Sequence, residues 1–163
     1  MAGNLLVLVE HWRGQLSEIT FEMLALGREA ADALGVRLEA ALLGNQVRGL
    51  AEYLGQADSV LYAEHPTLAE PDPEVYAEAL GQICALKQPR AVLCPLTNVT
   101  LGVGTLLSAR LQAPAVNFCK DLSVVDGILE ARSVLYGGKM ETTVAVRSAP
   151  AVLGIWPGAR PAS

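Results

Sequence analysis

The chain has 163 residues, 52% of them hydrophobic and 18% charged, with a formal net charge of −5. That length suits one domain of roughly 100–200 residues, large enough to bury a core without staples. Its twelve Lys and Arg are scattered singly and its two Trp and four Tyr form no stacking ladder, which excludes a nucleic-acid binder.

In chain order, Asn4–Glu10 is a continuous apolar run, the pattern of a parallel strand covered on both faces. The start MAGNLLVLVEHW has no basic region before that run, so it is a strand rather than a signal peptide. Ser17 is the expected N-cap of a helix in which Leu24, Gly27, Ala31 and Leu34 recur at helical spacing, and Gly35 is its stop. VRLEAALLG gives a second strand, NQVRGLAEYLG a short helix begun by Asn45, and Ser59–Ala63 a third strand. The prolines of HPTLAEPDPE mark a loop that ends with Asp72 as N-cap and Pro73 in the first turn. Asp72 and Glu74 there form a solvated helix start rather than a catalytic pair. EVYAEALGQICALKQ is then a helix, RAVLC a fourth strand stopped by Pro95, and the segment after Gly102 another helix.

Beyond Gln112 the composition turns to Val, Ala and Thr, with turn pairs at Asp126–Gly127 and Gly137–Gly138. Shorter, partly antiparallel strands are expected there. The fold class is therefore α/β: a three-layer, mostly parallel, doubly wound sheet with antiparallel strands near the C-terminus. One domain is expected over residues 1–156, followed by a linker-like tail, PGARPAS, at 157–163.

Cys84, Cys94 and Cys119 are widely spaced, and His11 and His65 lie far from them, so neither a disulfide framework nor a metal site is assigned. Buried thiols in a reducing cytoplasm are expected. No stretch approaches the roughly 20 apolar residues that span a bilayer, so no membrane association is expected.

Ligands of open parallel sheets bind beyond the carboxyl ends of the strands, near a reversal of strand order. This rule selects Glu10–His11, the loop after Leu43, and the loop after Cys94, which holds Thr97, Asn98, Thr100, Gly102 and Gly104. Small residues, hydroxyls and a helix start are ingredients of a phosphate cradle. A dinucleotide fingerprint would need glycine at 107, where Leu107 stands, and Gly138–Lys139 is followed by Met140 rather than Ser or Thr. The loop is thus either an anion cradle or a turn that lets a helix approach the sheet. His11 beside Glu10 is either a general base with its orienting carboxylate or a histidine bonded to nearby backbone. No nucleophile elbow is present, and no residue is assigned a catalytic role.

Several segments together resemble the N-terminal domain of the electron transfer flavoprotein alpha subunit. They are LLVLVEHWRGQLSEITFEMLALGREAA, AVLCPLTNVTLGVGTLLSARLQAPAV, the hairpin ARSVLYGGKMETTVAV and the exit VLGIWPGARPA. The likeness covers nearly the whole chain, although Gly138 and Lys139 stand where the family commonly has a small residue and Asn. It implies an adenine-nucleotide-alpha-hydrolase-like fold and an electron-carrier component rather than a catalyst. In the family FAD sits mainly on a second alpha-subunit domain, so the resemblance implies no flavin tightly bound by this chain alone, and FAD only in a larger complex. The implied partner is a beta-like subunit or a separately encoded FAD domain, with self-association as a further option. The alternative is a small module that binds AMP or ATP, like the universal stress proteins, through Glu10, His11 and the Thr97–Gly104 loop. A hydrolase of the same superfamily ranks last.

Overall fold

The four residues Leu5–Leu8 (β1) have no exposed face. Leu5, Val7 and Val9 join one apolar cluster, while Leu6 and Leu8 join another on the opposite side of the sheet. This period of two divides the molecule into layers. The computed structural model describes residues 3–158. On one face lies Glu18–Leu34 (α1), which contributes Met23, Leu24, Leu26, Ala30 and Ala31. On the other lie Pro73–Lys87 (α2) and Val103–Leu111 (α3), contributing Tyr76, Leu80, Cys84, Val103 and Leu107.

The remaining strands are His11–Trp12 (β2), Gln15–Leu16 (β3), Leu38–Gly44 (β4), Ser59–Glu64 (β5), Ala91–Pro95 (β6), Ala115–Val125 (β7), Ile128–Leu135 (β8), Met140–Ala145 (β9) and Ala151–Ile155 (β10). The main sheet has eight strands in the order β5-β4-β1-β6-β10-β7-β8-β9. It is parallel from β5 to β7 and antiparallel from β7 to β9. The expected α/β architecture is the one found. Close approach also shapes α1: a Cβ added at Gly27 would lie 2.8 Å from Leu38 Cδ1, so the helix settles onto β4 where a larger side chain would hold it off.

Three local expectations change. The strands after Gln112 are not all short, since β7 has 11 residues and serves two roles. Its first part pairs with β10 in parallel, and its second pairs with β8 in antiparallel fashion. The switch falls at Phe118, whose φ is +57°, and at a register shift between Cys119 and Asp121. Past it, Leu122, Leu129, Ala131 and Val146 pack into the α1-side cluster. The helix expected from Asn45 is a single 3-10 segment, Arg48–Tyr53, with Val47 at its N-cap and no buried residue. Six residues without an apolar stripe cannot stabilise an α-helix. Ser17 does occupy the N-cap position of α1, but its side chain makes no capping bond. Asp72, by contrast, caps α2 through Oδ1, accepting from Glu74 N at 3.0 Å and Val75 N at 3.2 Å.

The β2–β3 ribbon is an unexpected element, turned by Arg13 and Gly14 at φ +50° and +80°. Asp126 and Gly127, at φ +51° and +74°, close the β7–β8 hairpin in two residues, as their sequence indicates. In the tail, Pro157 and Gly158 form a turn and Gly158 N donates to Glu22 Oε1 at 2.7 Å; residues 159–163 lie outside the described residues. No helix among the described residues is long and apolar enough to cross a membrane.

Candidate functional site

The chain runs from β1 through β4 to β5 at one edge, then returns to β6 on the other side of β1. Strand order therefore reverses between β1 and β6, whose carboxyl ends carry Glu10–His11 and the loop 96–102. This is where the fold class places ligands.

Glu10 is 2% exposed, and one oxygen of its carboxylate draws two hydroxyls. Oε1 accepts from the Thr100 hydroxyl at 2.9 Å and from the Thr97 hydroxyl. The single Thr100 proton is shared with the Pro95 carbonyl oxygen at 3.2 Å, and Thr97 Oγ1 also accepts from Val99 N at 3.2 Å. The backbone of Glu10 is held as firmly. Its N–H donates to Thr20 Oγ1 at 2.8 Å, the Thr20 hydroxyl returns a bond to Glu10 O at 2.9 Å, and Ser17 N donates to that oxygen at 2.9 Å. One residue thus joins the end of β1, the start of α1 and the loop after β6.

His11 works separately. β1 has ended before it, and its Nε2 lies 2.6 Å from the Leu43 carbonyl oxygen. A carbonyl only accepts, so Nε2 carries the proton of that bond. The Tyr76 hydroxyl donates to the same oxygen at 3.2 Å. A Cβ on Gly44 would meet the His11 ring nitrogen at 3.1 Å and Val47 Cγ2 at 2.4 Å, so the imidazole fills the space beside β4. Burial first, then the charge of Glu10, pushes the Tyr76 phenol up to about 12.

Of the sequence-selected residues, Glu10, Thr97 and Thr100 meet directly. His11 is adjacent but engages β4, and Asn98 is exposed. Gly102, at φ +88°, holds the N-cap position of α3 in a conformation that L side chains resist. A Cβ on Gly104 would sit 3.4 Å from Cys94 Cβ and 3.6 Å from Val152 Cγ1, which is ordinary packing distance. Thr20 and Tyr76 belong to the same network and were not singled out from the sequence. Only their long-range partners distinguish them from other helix residues.

The chemistry follows from the charge. A phosphate brought into this loop would face the Glu10 carboxylate, a repulsion of about 4 kcal/mol at 4 Å with an effective dielectric near 20. Nor is a nucleophile poised here. Cys94 is buried beneath the loop and its thiol is pushed up to about 12 by burial, then by its neighbour Cys84. Among the described residues no group of three or more His, Cys, Asp or Glu is arranged to hold a metal ion.

Comparison with known proteins gives the lineage. The profile of the electron transfer flavoprotein domain matches residues 5–163. The chain belongs to the electron transfer flavoprotein family. It is 30% identical over 142 residues to Protein FixB of Clostridium saccharobutylicum, covering 85% of this chain and 42% of that protein. It is 32% identical over 120 residues to the acryloyl-CoA reductase electron transfer subunit beta of Anaerotignum propionicum, covering 72% of this chain and 33% of that protein. Electron transfer flavoprotein subunit alpha of Bacillus subtilis is 30% identical over 144 residues, at 85% and 43% coverage. The chain spans less than half the length of these relatives.

Two measurements check the network. Thr100→Val is expected to lower stability by about 1–3 kcal/mol. The same change should cost less in a Glu10→Gln background, and a double-mutant cycle from urea unfolding reads the coupling. For Tyr76, the folded value lies above the ordinary phenol value of about 10, so its contribution is whole below that pH and is lost as pH rises toward 12. Urea midpoints taken from about pH 9 to pH 11 should fall, and Tyr76→Phe should flatten that part of the slope.

Proposed function

We propose that this chain is an assembly component of an electron-transfer system: a domain, residues 1–156, on which a partner subunit is seated, with FAD held elsewhere in the complex. The observation that carries this reading is an uncovered apolar array on the antiparallel strands and the segment leaving β10. Phe118, Leu135, Tyr136, Met140 and Trp156 are all exposed. The Phe118 and Trp156 rings lie 5.2 Å apart, tilted by 55°. Large exposed aromatic groups in one region mark interaction sites more often than free surface. The partner we assign is a beta-like subunit of the same family, with a separate FAD domain as the next choice. The relatives support an electron-transfer role through their own names, electron transfer flavoprotein subunit alpha and acryloyl-CoA reductase electron transfer subunit beta. Three buried thiols, none in a disulfide, fit a reducing cytoplasm.

For the Thr97–Gly104 loop we favour a packing turn held by Glu10 over an anion cradle. The adenine-nucleotide module remains the second reading, favoured by the position of the loop at the strand-order reversal. Absorption spectroscopy of the purified protein separates the first reading from an autonomous flavoprotein, because a flavin band near one equivalent would overturn it. Calorimetry with AMP and ATP addresses the second. The expected result is no saturable heat, whereas binding weakened by Gly102→Val would establish the nucleotide module instead.

A further inference from the structure

One side of α2 faces water with an apolar stripe. Val75, Ala79, Ile83 and Leu86 recur along it at helical spacing, over about 16 Å or three turns. The first three are half-buried, while Leu86 is 83% exposed, more than any other large apolar side chain among the described residues. With Ala63 near the end of β5 and the buried Leu68 beyond it, they line an open groove of about 450 Å³. β5 stands at the sheet edge, and its outer side pairs with no strand among the described residues.

The rim of this groove is acidic. Glu78 lines it and Glu74 precedes it by one turn; both are exposed, and neither joins an ion pair among the described residues. Like charges four residues apart on a helix repel. The one cation of α2, Lys87, pairs with Glu39 at 4.0 Å. Glu64 adds a carboxylate at the end of β5, held below its ordinary value by the Tyr62 hydroxyl first, then by Gln46 N and the Arg48 charge. No Lys or Arg is among the described residues lining the groove, and His65 there uses Nδ1 to accept from Thr67 N at 3.1 Å.

These features select the occupant. An apolar floor three turns long beside unopposed carboxylates complements a helix with aliphatic side chains on one face and cations flanking them. A second copy of this chain, with its net charge of −5, would bring the same carboxylates to a two-fold contact. The occupant is therefore a different protein.

We propose that this groove binds a basic amphipathic helix of another protein, its apolar face on Val75, Ala79, Ile83 and Leu86 and its lysines or arginines against Glu74 and Glu78. The groove lies at the opposite edge of the sheet from β9, so it is independent of the docking surface proposed above. The probe is a labelled peptide of about fourteen residues with Leu and Lys at helical spacing, titrated with the whole protein and followed by fluorescence anisotropy. Binding should be saturable, with amide NMR shifts confined to residues 61–64 and 74–87. Leu86→Gln should weaken it at least about tenfold. Glu74→Gln combined with Glu78→Gln should weaken it at least about threefold and reduce its salt dependence. Tyr136→Gln, at the other edge, should leave it unchanged. A peptide with Glu in place of Lys, and one with Leu and Lys alternating as in a strand, should not bind. Leu86 and both glutamates are exposed, so their replacement tests the groove rather than the core, and circular dichroism establishes that each variant is folded. No saturable binding, an affinity unchanged in Leu86→Gln, equal loss in Tyr136→Gln, or equally tight binding of the alternating peptide overturns the proposal. Self-association that Leu86→Gln abolishes also overturns it, by giving the groove to a second copy.

Discussion

A carboxylate buried at the carboxyl end of a parallel sheet needs hydrogen-bond donors, because an unpaired buried charge costs several kcal/mol. Glu10 recruits hydroxyls from two distant segments: Thr97 and Thr100 after β6 bond Oε1, and Thr20 in α1 bonds its backbone. The loop after β6 is consequently shaped around an internal anion. Its small residues and helix start have the composition of a phosphate cradle, but the negative charge at its centre belongs to the protein. His11 and Tyr76 extend the arrangement to β4 through the Leu43 carbonyl, so the place where the fold class binds ligands is packed with the chain's own polar groups.

Much of the framework was legible in the sequence for a simple reason. Strands buried on both faces leave uninterrupted apolar runs, and β1, β4 and β6 are buried at every position. Punctuation was equally clear where a local rule governs it: Gly35 is left-handed at the end of α1, and Asp72 with Pro73 opens α2. What escaped local reasoning depends on distant partners. Ser17 reaches the N-cap position, yet it is Thr20 whose hydroxyl bonds, because Glu10 presents both backbone groups to it. The long β7 was hidden by a kink at Phe118, an aromatic residue with positive φ that no turn signal announces. The proximity of Thr97 and Thr100 to Glu10 was foreshadowed only as common membership of a strand-end cluster. Their direct contact requires the β1–β6 pairing.

Two neighbouring regions of the molecule differ in chemistry. Around Glu10 polar groups bond one another, whereas the antiparallel extension leaves aromatic and aliphatic side chains in water. Four charges of that extension are paired with one another: Lys120 and Arg132 with Glu141, and Arg132 with Asp121 at 3.4 Å. The Lys120 ammonium, foremost by its hydrogen bond, holds the Glu141 carboxyl below its ordinary value. Such exposed pairs add little stability, but they leave the aromatic groups as the dominant contact chemistry there. The proposed association through this surface, rather than small-molecule chemistry at the strand-order reversal, draws its support from that distribution.

Hydrogen–deuterium exchange before and after addition of a beta-like electron transfer flavoprotein subunit tests that claim most directly. Slowed exchange across residues 118–143 and at Trp156, with the 97–104 loop unchanged, is the outcome the docking account requires. Protection confined to the 97–104 loop, or none anywhere, would contradict it.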